Sequence, residues 1–159
     1  RPPPYGLALE SARRLPGGEA LVRFTRSGTG SGPDELVFLS YPDHEAVEAL
    51  FRPSEDMAEG MEEGPEQRLK EWEKDPSFAW HVTMKRDEIS WGAWSSKLWI
   101  ERAFALGGGW REEARVDLSA PGHARVLFAH WPTGVAIEER ALVELLTTLE
   151  LGAPPADAH

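Results

Sequence analysis

The chain has 159 residues, 41% hydrophobic and 28% charged, with a formal net charge of −10 at pH 7; this length suits one domain with a full core. It contains no cysteine, which excludes structural disulfides, thiol catalysis and Cys-ligated zinc or iron–sulfur centres. No apolar run reaches the roughly 18 residues that span a bilayer, and no basic stripe offsets the acidic balance, so neither a membrane span nor a nucleic-acid partner is expected.

The chain opens on Arg1-Pro2-Pro3-Pro4, a loose lead-in without signal-peptide pattern. The missing initiator Met reads as processing, trimming or a fragment boundary; export followed by signal removal is one route to it, and no compartment is assigned. Residues 19–26 alternate apolar and polar from Leu21 onward, as a half-buried strand does. A glycine-rich turn at 27–33 leads to a more buried strand at 35–41, and the two strands suggest a hairpin.

Residues 43–75 form an acidic insertion with twelve acids against four bases, a balance of −8, while the rest of the chain holds 15 acids and 13 bases. Asp43 is a good N-cap for a helix over 44–52 that ends at Pro53, with Val47, Leu50 and Phe51 on one face. Further helical pieces follow from Ser54 and over 65–74. The carboxylates Glu55, Glu59, Glu62 and Glu63 read as a solvated acidic face, because calcium loops alternate their ligands along an extended loop.

The second half reads as strands at 78–84, 88–92, 96–106, 110–118 and 124–131. Gly107-Gly108-Gly109 suits a hairpin turn with positive φ. After Pro132-Thr133-Gly134 comes a helix whose stripe is Ile137, Ala141, Leu142, Leu145, Leu146 and Leu149, stopped by Gly152. The expected fold is therefore α+β: a single antiparallel sheet of about six strands, short helices and an amphipathic C-terminal helix, forming one domain over 5–152 with flexible ends at 1–4 and 153–159. In element order alone, mainly over 96–151, the chain resembles two architectures. One is the helix-grip fold, which implies an apolar cavity between a curved sheet and its helix. The other is the α/β/α sandwich of the PsbP and Mog1 type. The chain lacks Asn and has one glutamine, Gln67, a depletion that fits adaptation to heat.

No motif names a reaction. His44, His81, His123, His130 and His159 lack metal-ligand spacing, Ser90, Ser95 and Ser96 lack a nucleophile elbow, and Gly28, Gly30 and Gly32 are not followed by a P-loop lysine. Catalytic residues, metal and cofactors are thus expected to be none. The distinctive feature is tryptophan: six of the seven, Trp80, Trp91, Trp94, Trp99, Trp110 and Trp131, fall within 52 residues. Strand parity sets Trp80 with Phe78 and Val82, as core. Trp99 lies instead with Lys97, Glu101 and Ala103, and Trp131 with Leu127 and Ala129.

Trp94, Trp99 and Trp131, with Trp91 and Trp80 beside them, are the candidate binding residues, since tryptophan is enriched at interaction hot spots. The leading expectation is a non-catalytic binding or accessory domain whose Trp-rich sheet face engages a protein partner, with 43–75 at its rim. The alternatives are a carrier of a small apolar ligand in a sheet–helix cavity walled by Trp80 and Phe104, and an enzyme with an unrecognised site.

Overall fold

In the computed structural model, residues 5–26, 32–52, 80–149 and Leu151 are described. Seven strands make one antiparallel sheet: β1 (Ala8–Arg14), β2 (Ala20–Thr25), β3 (Glu35–Tyr41), β4 (Trp80–Trp91), β5 (Trp94–Phe104), β6 (Trp110–Asp117) and β7 (Ala124–His130). Their spatial order is β1-β2-β3-β7-β6-β5-β4. The sheet is thus two meanders, β1 to β3 and β4 to β7, joined where β3 pairs with β7 from Glu35↔His130 to Tyr41↔Ala124. Helices α1 (His44–Ala49) and α2 (Glu139–Thr147) follow the first and second meander.

The strands differ from those expected in two places, each for a physical reason, with seven formed where about six were expected. First, β1 escapes an alternation search because it is an edge strand, charged and exposed along almost its whole length. Second, the strands expected at 78–84 and 88–92 are one strand, β4. The run Lys85-Arg86-Asp87-Glu88 masks its alternation, and charges of this kind are tolerated on an edge. A bulge between Thr83 and Lys85 shifts the register. Met84 is the extra residue and is 37% exposed. The bulge instead brings Lys85 to the α2 side, where it pairs with Glu139.

The main core lies between the sheet and α2. Leu142, Leu145 and Leu146 are each fully buried against Leu36, Leu98, Ile100, Ala114, Val116, Leu127 and Ala129. Burying three leucines this way contributes about 1.5–3 kcal/mol apiece. The helix starts later than its stripe suggests: Ile137 donates its amide to the Glu112 carboxylate at 2.7 Å and stays outside α2.

The opposite face carries α1. Asp43 caps it, accepting the Ala46 amide at 2.8 Å, and Val47 packs on Ala124 and Val126. The helix has six residues rather than the nine of the expected 44–52. The expected pieces from Ser54 and over 65–74, with Glu55, Glu59, Glu62 and Glu63, lie outside the described residues, as do Gly28 and Gly30 and His159. No helix among the described residues is long and apolar enough to cross a membrane.

Candidate functional site

Strand pairing brings charged residues into line on the α1 side of the sheet. In register across β3, β7, β6, β5 and β4 run Glu35, His130, Glu113, Glu101 and Thr83. The adjacent row, two residues along on each strand and three on β4 across its bulge, is Val37, Phe128, Arg115, Trp99 and Arg86. Glu101 and Glu113 stand directly opposite one another, and like charges at such positions repel. Arg115 bridges them, donating from Nε to Glu113 at 2.9 Å and from Nη2 to Glu101 at 3.0 Å. Its Nη1 reaches the Leu50 carbonyl at 3.3 Å, tying the end of α1 to the row.

His130 sits between two carboxylates. Its Nε2 lies 3.1 Å from Glu113, and its Nδ1 lies 2.9 Å from Glu35 as an ion-pair contact rather than an aligned hydrogen bond. Burial alone would push the Glu113 carboxyl up. Hydrogen bonds from His130 and Arg115, and the charges of both, outweigh that and hold it below the ordinary carboxylate range. A catalytic histidine needs a ring nitrogen free to meet a substrate proton. Here each nitrogen faces a carboxylate, so the arrangement binds strands together and is poorly placed for acid–base work. Among the described residues no group of three or more His, Asp or Glu is arranged to hold a metal ion.

A second charged pair is buried on the other face. Glu112 is 3% exposed and accepts from Arg102 Nε at 2.8 Å, while its other oxygen takes the Ile137 amide. The Arg102 guanidinium lies 3.7 Å from the centre of the Trp110 ring. A buried carboxylate is tolerated when its lone pairs are occupied in this manner. Its role is to hold the stretch before α2 against β6.

Four of the tryptophans, Trp91, Trp94, Trp99 and Trp131, are buried. Trp91, Trp94 and Trp131 lie in the core beneath α2, and Trp91 stacks on Trp94 with ring centroids 5.6 Å apart. Trp99 is on the opposite face and is 2% exposed. Phe51 lies 6.5 Å away, the Arg86 guanidinium stands 5.6 Å from its ring, and its Nε1 donates to Thr83 Oγ1 at 3.3 Å. Trp80 opens β4 opposite Phe104. Trp94, Trp99 and Trp131 therefore neither share a face nor reach the surface together. Parity along each strand was legible, but the side receiving α2 was not.

The remaining candidates are dispersed. His44 and His81 are exposed at the starts of α1 and β4, and His123 is exposed at the turn before β7. Ser90 donates to Ser95 across the β4–β5 hairpin at 3.3 Å, away from any histidine on the charge row. Gly32 packs under the Tyr5 ring, and Gly107–Gly109 form the β5–β6 turn with positive φ at all three positions. Sequence reasoning passed over Glu35, Glu113 and Arg115. The available signal was the Glu113/Arg115 spacing on one side of a strand. Pairing across β3, β7 and β6 alone makes it a row. No known protein family, curated protein or solved structure matches the chain.

Proposed function

We propose that this is a non-catalytic binding or accessory domain that meets a protein partner on the α1 side of the sheet. The observation carrying this reading is the charge row. Its side chains are 19–27% exposed, so they reach solvent as a rigid, mixed-charge floor. Exposed Arg86, Glu88 and Lys97 extend that floor along β4 and β5. Trp99 supports it from below as a packed ring, in place of the hot-spot role expected from sequence. The carboxylates that face both nitrogens of His130 and the occupied oxygens of Glu112 favour binding over catalysis.

The carrier reading has less support, because α2 seats three fully buried leucines directly on the sheet. For the architecture we favour the α/β/α sandwich over the helix-grip arrangement, since α1 and α2 lie on opposite faces. The test is native mass spectrometry of the protein purified gently from its own cells, as wild type and as Lys97→Glu, Arg86→Glu and Arg140→Glu. A retained polypeptide, lost with either sheet substitution but kept with Arg140→Glu on the solvent side of α2, is the expected result. A retained small molecule, a bare monomer, or equal retention in all four proteins overturns the proposal.

A further inference from the structure

We draw no further inference here: the strongest candidate, the Glu35–His130–Glu113–Arg115–Glu101 charge row across β3, β7, β6 and β5, belongs to the face already described, and its groups engage one another with no second observation pointing to a ligand.

Discussion

Trp99 sits among charged neighbours and is nonetheless buried, because Phe51 and the Arg86 guanidinium lie over a ring whose N–H is taken by Thr83. Removing it would empty a packed site, so Trp99→Ala is expected to lose about 3–5 kcal/mol in urea denaturation. A loss below about 1 kcal/mol would mean the ring is a surface group. Glu113 tests the row itself. Its folded pKa is depressed, so the stability it contributes is present above the unfolded value of about 4.3 and is lost as pH falls through the folded one. Glu113→Gln should cost about 1–3 kcal/mol near neutral pH, and the gap to wild type should shrink on acidification below about pH 4. A gap that stays constant with pH would mean the carboxylate charge contributes nothing.

Turns decide how each strand meets the next. Gly92 occupies the first of two central positions between β4 and β5, and it alone of the two has positive φ, at +54°. That is the pattern of a II′ hairpin turn. A Cβ there would meet nothing within 4 Å, whereas one on Gly32 (φ +83°) would come within 2.8 Å of the Tyr5 ring. Gly92→Ala should therefore cost only the left-handed backbone strain of about 1–2 kcal/mol, and Gly32→Ala measurably more. Equal losses in thermal melts would show that Tyr5 gives way freely. The edges of the sheet follow the same economy. Both β1 and β4 carry charges and a bulge, two devices that discourage pairing with another chain. These charges hid β1 and split β4 in the sequence pattern. The interior strands β2, β3, β5, β6 and β7 were legible from their apolar residues, which alternate in β2 and run consecutively in β3 and β7, where a helix lies on each face.

For the molecule as a whole, the question is what joins the sheet to its covering helix. The apolar contact of α2 is supplemented twice at its N-terminal end, by Lys85 with Glu139 and by Glu112, which holds Ile137 just before the helix. Glu112→Ala would strand the Arg102 charge in a site where its side chain is only 13% exposed. The expected cost is about 3–5 kcal/mol. Hydrogen exchange should report it first in residues 137–146, ahead of the β5–β6 amides. Uniform acceleration across the sheet would instead assign Glu112 to the core at large. Among the described residues the strand pairing that joins the two meanders is β3 with β7, and the Glu35–His130–Glu113 contacts serve as a polar clamp across that junction.

Local sequence determined the elements whose evidence is periodic: the alternating strands, the Asp43 cap, the turn glycines and the leucine stripe of α2. These depend on neighbours within a few residues, and their physics is written in spacing. Only tertiary structure decided which face of the sheet α2 would cover. That choice buried Trp91, Trp94 and Trp131 and separated them from Trp99. It also set the pairing of β3 with β7, a contact between residues some ninety positions apart. Register across strands turned scattered Glu35, Glu101, Glu113, Arg115 and His130 into one row, because side chains on different strands become neighbours only when backbone hydrogen bonds align them.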